Sequence, residues 1–167
     1  MAELEQQERL QPSLLDRLTD DDPGNAKESR DKRVLSARKL RECIKRDLAS
    51  LLNTGNLNDV QDLSDYPFVA ESVVNYGMPD VTGISVTNVD TGSLERDLRH
   101  AILLFEPRIL KNSLRLHVTS NDEMTANALR FEIEFDMWAE PVPERVYLKT
   151  EIDLGSGLVK LSDSSGH

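Results

Sequence analysis

Between residues 114 and 154 apolar and polar side chains take turns, and this alternation limits the fold more than any other feature of the chain. Leu114, Leu116 and Val118 alternate with Arg115, His117 and Thr119. Leu129, Phe131, Ile133, Phe135 and Met137 alternate with Arg130, Glu132, Glu134, Asp136 and Trp138. Val146, Leu148, Thr150, Ile152 and Leu154 alternate with Tyr147, Lys149, Glu151 and Asp153. Successive side chains of a strand point to opposite faces, so each run reads as a strand with one buried and one wet face. The short connections between the runs predict an antiparallel meander. Helices are the available cover for its apolar face. The expected class is α+β: a two-layer fold in which an antiparallel β meander is covered on one face by about three helices.

Three upstream segments carry the helical period. Over 34–52, Leu40, Ile44, Leu48 and Leu51 recur at helical spacing, with Cys43 and Leu52 widening the stripe. The opposite side is basic, with Arg38, Lys39, Arg41, Lys45 and Arg46. Asn53-Thr54-Gly55 supplies residues that tolerate a left-handed helix end. A short helix is expected at 67–75, with Pro67 at its first position and Phe68, Val69, Val73 and Val74 as its apolar side. Gly77 and Pro79 stop it. Ser93 is the expected N-cap of a further helix whose face is Leu94, Leu98, Ala101, Ile102 and Phe105. Pro107 cannot continue that helix and biases Glu106 toward an extended conformation.

Residues 1–33 read as a flexible leader with one short docking helix near 13–18. Ser13 can cap a turn containing Leu14, Leu15 and Leu18, with Asp16 in the capping-box position. Asp20-Asp21-Asp22-Pro23-Gly24-Asn25 ends it. So short a helix cannot build a core, so its leucines either pack back on the domain or dock on another protein. Residues 34–161 form the single domain. Residues 162–167 have no apolar anchor and are expected to be a disordered tail.

Thirty Asp and Glu against 20 Lys and Arg leave a formal charge of −10, which repels a polyanion and argues against non-specific nucleic-acid binding. The basic side from 38 to 46 carries no interleaved aromatics for base stacking. The lone Cys43 supplies neither a disulfide framework nor a cysteine zinc site. The acidic start shows no secretory h-region, and no apolar run approaches the ~20 residues of a membrane helix, so a soluble, cytoplasmic protein is expected.

No phosphate-binding loop, His-Glu-x-x-His pair or nucleophile elbow occurs, and His100, His117 and His167 are not at ligand spacing. No catalytic, metal or cofactor residue is assigned, and no cofactor is expected. Glu106 is the best single candidate for a general acid, since Phe105 and Pro107 flank it and desolvation raises a carboxyl pKa. Arg108, two residues on, favours the ionised form and works against that role. On an extended segment Glu106 and Arg108 face the same way, as an internal ion pair or as a joint surface for a partner.

Four segments together resemble the TssE family, the baseplate subunits of bacterial type VI secretion systems. They are Pro12-Ser13-Leu14-Leu15-Asp16-Arg17-Leu18, residues 46–54, residues 72–80 and Ile102 to Ile109 with Phe105-Glu106-Pro107-Arg108. That family is similar to the baseplate wedge protein of contractile phage tails and has also carried the label lysozyme-like. The resemblance implies a structural protein and no enzyme. It implies wedge partners TssF, TssG and TssK, sheath partners TssB and TssC, and a place in the baseplate on the cytoplasmic side of the inner membrane. Sheath assembly would be templated by strand exchange. Glu106, Pro107, Arg108, Leu14, Leu15 and Leu18 are the expected partner-binding residues. The competing reading is a peptidoglycan hydrolase acting through a Glu general acid.

Overall fold

The computed structural model describes residues 13–19, 24, 36–85, 88–120, 128–138 and 143–163. Within them α1 (Leu14–Leu18), α2 (Ala37–Leu52), α3 (Pro67–Ala70) and α4 (Thr91–Phe105) precede β1 (Arg115–Ser120), β2 (Ala128–Met137), β3 (Glu144–Asp153) and β4 (Val159–Asp163). The strands form one sheet in the order β1-β2-β3-β4, with every neighbouring pair antiparallel. The meander and the α+β class expected from the alternation are both present.

Burial follows the period of two. In β3, Val146, Leu148, Thr150 and Ile152 are buried while the residues between them are exposed. Opposite charges face each other on the wet side, where Glu132 pairs in register with Lys149, Arg130 with Glu151 and Asp136 with Arg145. A slip of one residue would lose these cross-strand pairs and turn the apolar set to water. The buried set meets α2, packed against β4, and α4, packed against β1. Leu48, Leu98, Ile102, Leu129 and Ile152 are among the fully buried residues joining the two layers.

The cover differs from expectation in its short elements. The expected helix at 67–75 is split into α3 and a 3-10 turn at Val73–Asn75, and neither buries a residue. Phe68 is 91% exposed and Val73 81%, so they form no core face. The cap of α4 is Asp90, which accepts from the Gly92 and Ser93 amides, so the helix begins before Ser93. Asn53 ends α2 without a left-handed backbone. Its side-chain amide instead binds the backbone of Val159 in both directions, at 3.0 and 2.9 Å. That contact ties α2 to β4, a strand absent from the sequence reading. β4 runs to Asp163 and so extends past the expected domain end at 161, while residues 164–167 lie outside the described residues.

Candidate functional site: an ion cluster joining leader, helix and corner

The leader helix forms as its sequence indicates. Ser13 Oγ accepts from the Asp16 amide at 3.3 Å, and the Asp16 carboxylate accepts from Ser13 N at 3.1 Å and Ser13 Oγ at 2.6 Å, a complete capping box. The rest of leader residues 1–33, apart from 13–19 and 24, lies outside the described residues. Leu14, Leu15 and Leu18 are 71%, 56% and 75% exposed. They do not pack back on the domain.

The polar member of the helix does. The Asp16 side chain is only 6% exposed, with Oδ1 2.7 Å from Arg46 Nη2 and Oδ2 3.9 Å from Arg108 Nη1. Burial alone would raise this carboxyl, but the Ser13 hydrogen bond and Arg46 carry it down to about 2. Burial pushes the neighbouring Cys43 thiol up to about 11, with the Asp16 carboxylate adding to the effect. Cys43 is accordingly a buried neutral thiol.

Glu106-Pro107-Arg108 lies beneath Asp16. Pro107 ends α4 at Phe105, and Glu106 becomes its C-cap, with its amide bonded to the Ile102 carbonyl. The chain then turns, closed by Ile109 N to Glu106 O at 3.2 Å, and pairs with the end of β2 through Leu110 N to Asp136 O and Trp138 N to Arg108 O. Glu106 and Arg108 are therefore brought together by a turn rather than by the extended segment the sequence led us to expect. Arg108 Nε donates to Glu106 Oε1 at 2.6 Å, Nη2 reaches Glu106 Oε2 and Asp47 Oδ2, and Arg108 N donates to Glu106 Oε1 at 3.2 Å. Glu106 is 3% exposed, Pro107 is exposed and the Arg108 side chain is 21% exposed. Burial works against the guanidinium charge, but Glu106 and Asp47 hold the Arg108 pKa above its ordinary value.

Arg46 closes the cluster by pairing with Asp47 at 2.7 Å as well as with Asp16. Sequence reading placed Arg46 on a basic face and did not single out Asp47. No local signal marks either residue for this site, because their partners across the fold, Arg108 for Asp47 and Asp16 for Arg46, stand 61 and 30 residues away. Most of that face is engaged elsewhere: Arg38 pairs with Glu42, Arg41 with Glu144 and Lys45 with Asp163. His117 and His100 are exposed, and no group of three or more potential metal ligands occurs among the described residues.

The segments that carried the sequence resemblance converge here. Residues 46–54 and 72–80 meet where Met78 N donates to Thr54 O at 2.8 Å and Asn56 N to Met78 O at 3.1 Å. Tyr76 stacks edge-on against Phe105 at 5.2 Å, and its hydroxyl donates to Asp47 O at 3.5 Å. Leader, helix end, loop and corner thus form one spatial unit. Residues 38–142 match the family of the baseplate wedge protein gp25. The chain belongs to that family. Comparison with curated proteins and with solved structures gave no match. Membership of the baseplate wedge family makes the chain a structural component related to contractile tails. No helix among the described residues is long and apolar enough to cross a membrane.

Proposed function

We propose that the chain is the TssE-type baseplate component of a type VI secretion system, linking the wedge proteins TssF, TssG and TssK to the sheath proteins TssB and TssC. It would work in the cytoplasm, in the baseplate at the inner membrane, without inserting into the membrane or binding nucleic acid. The observation that carries the reading is the match to the wedge family over 38–142, with the leader held against the Glu106-Pro107-Arg108 corner. Glu106, Pro107 and Arg108 would form one partner surface, in which Glu106 fixes Arg108 and Pro107 stands exposed. Leu14, Leu15 and Leu18 would form a second. Burying all three would contribute on the order of 5–9 kcal/mol gross, and using both surfaces at once would raise affinity beyond either alone. The sheet leaves β1 and β4 as edge strands, and an unpaired edge can accept a strand from the sheath.

The test is co-purification with TssF and TssG, wild type against a variant in which Leu14, Leu15 and Leu18 are serine. Stable wild-type association that the variant loses supports the reading. A wild-type protein that joins neither partner removes it.

A further inference from the structure

We propose that Arg46 and Arg108 form a receiving site for a carboxylate, plugged in this structure by Asp16 of the chain's own leader. A partner would then engage the corner by supplying an acidic side chain, borne on a short capped helix, in place of Asp16. The partner half of this inference rests on the baseplate reading; the plugged site does not.

Three observations carry it. First, α1 is held by charge and hardly by apolar contact: its leucines are more than half exposed, while Asp16 is 6% exposed between two guanidinium groups. A segment attached in this way can leave without uncovering an apolar core. Second, the plug fits imperfectly. Asp16 Oδ1 pairs with Arg46 Nη2 at 2.7 Å, but the buried Arg108 Nη1 has no hydrogen-bond partner, with Asp16 Oδ2 at 3.9 Å. A carboxylate seated squarely across both groups would satisfy the Arg108 Nη1 that Asp16 leaves unpaired, and charge-assisted bonds of that geometry are the stronger kind. Third, the remaining side-chain nitrogens of Arg108 and the Nε of Arg46 are already committed. Arg108 Nε and Nη2 are held by Glu106 and Asp47, and Arg46 Nε by Asp47. The site is therefore preformed and directed at one incoming acid.

The test uses full-length protein and a fluorescent peptide of residues 12–20. In wild type the leader belongs to the same chain and competes at a high effective concentration, on the order of millimolar. Asp16→Ala should empty the site and bind the peptide at least about tenfold more tightly than wild type. A peptide carrying Asp16→Asn should not bind. Arg46→Gln added to Asp16→Ala should abolish binding while leaving the Glu106–Arg108 pair, and hence the unfolding midpoint, in place. Equal peptide binding by wild type and Asp16→Ala, no binding by either, or equal binding of the Asp and Asn peptides would each overturn the site. A TssF–TssG complex should displace the peptide from Asp16→Ala. If that complex binds and the peptide stays, the exchange is wrong although the baseplate reading stands. If peptide binding behaves as expected and the complex never binds, the baseplate reading fails and the site remains.

Discussion

Glu106 and Arg108 meet side by side across a proline turn, with Nε 2.6 Å from Oε1, and the carboxylate is almost wholly out of water. A buried acid with its partner removed is an uncompensated charge, and its cost exceeds the net worth of the intact pair. The pair thus fixes the corner at which α4 hands over to the sheet, whatever else the corner contacts.

Arg108→Ala should therefore lower the stability of the isolated domain by about 3–5 kcal/mol, the range for breaking a buried pair. Arg108→Lys should recover only part of this, because an ammonium cannot span both Glu106 oxygens and Asp47 together. Trp138 is the single tryptophan, and its amide donates to the Arg108 carbonyl at 2.9 Å. Its fluorescence during urea unfolding is a direct readout. An unchanged midpoint in Arg108→Ala would show that the pair contributes nothing to the fold.

Gly77 offers an independent check on the loop beside the cluster. Its φ is +134°, and a Cβ there would stand 2.3 Å from Thr54 O and 2.8 Å from the Gly55 carbonyl carbon. Gly77→Ala should cost at least about 1–3 kcal/mol in thermal or chemical unfolding. Gly55→Ala meets nothing within 4 Å and has no positive φ, so it should be neutral or slightly stabilising. Equal effects at the two positions would mean that the close approach is not maintained in solution.

The periodic parts of this structure were legible and the non-local parts were not. β1 to β3, α2, α4 and the Ser13–Asp16 capping box each announce themselves within a few residues, because each rests on a repeat or a local hydrogen bond. β4 has only Val159 and partly buried Leu161 as apolar anchors, and it is placed by the Asn53 amide, 106 residues away in sequence. In the site, the pairing of Glu106 with Arg108 was legible as one of two options, since they are two residues apart. That Asp16 would reach Arg46 and Arg108 was not, because an ion pair across the fold leaves no periodic trace. Phe68, Val73 and Val74 are the opposite case: an apolar side chain does not guarantee burial, and their segment lies outside the two packed layers.

The leader's attachment should depend on acid in a defined sense. The Asp16 carboxyl is depressed in the fold, from an ordinary 3.8 to about 2. Its contribution is therefore complete above about pH 4 and is lost as the pH falls from there toward about 2, where the folded form also protonates. A shift of that size is worth on the order of 2 kcal/mol. Protection of the leader amides, measured against the intrinsic exchange rate at each pH, should fall across this window in wild type. In Asp16→Asn those amides should already exchange fast at neutral pH, with no further step in the acid range. Protection that persists unchanged at pH 2 would place the anchor elsewhere.

Hydrolysis of peptidoglycan should be absent. A general acid must reach a glycosidic oxygen, whereas Glu106 is 3% exposed and both its oxygens are engaged by Arg108. Purified protein should leave a peptidoglycan suspension turbid at any practical concentration. Clearing by wild type that is lost in Glu106→Gln would revive the hydrolase reading.

The exposed leucines give the sharpest separation between folding and assembly. Leu14, Leu15 and Leu18 keep more than half of their surface in water and take no part in the buried core. Replacing all three with serine removes apolar surface that the folded domain does not use. Asp16 and its Ser13 bonds remain, so α1 should stay on the cluster. Thermal unfolding should then shift by no more than surface substitutions usually cause, within about 0.5 kcal/mol. Association with TssF and TssG should weaken by at least tenfold if the three side chains enter an apolar groove, since even one buried leucine contributes about 1.5–3 kcal/mol. Measuring unfolding and partner binding on the same preparation keeps the two effects apart. A large fall in melting temperature would mean that the leucines complete the core after all. Unchanged stability with unchanged association would leave the corner, without the leader's apolar side, as the partner surface.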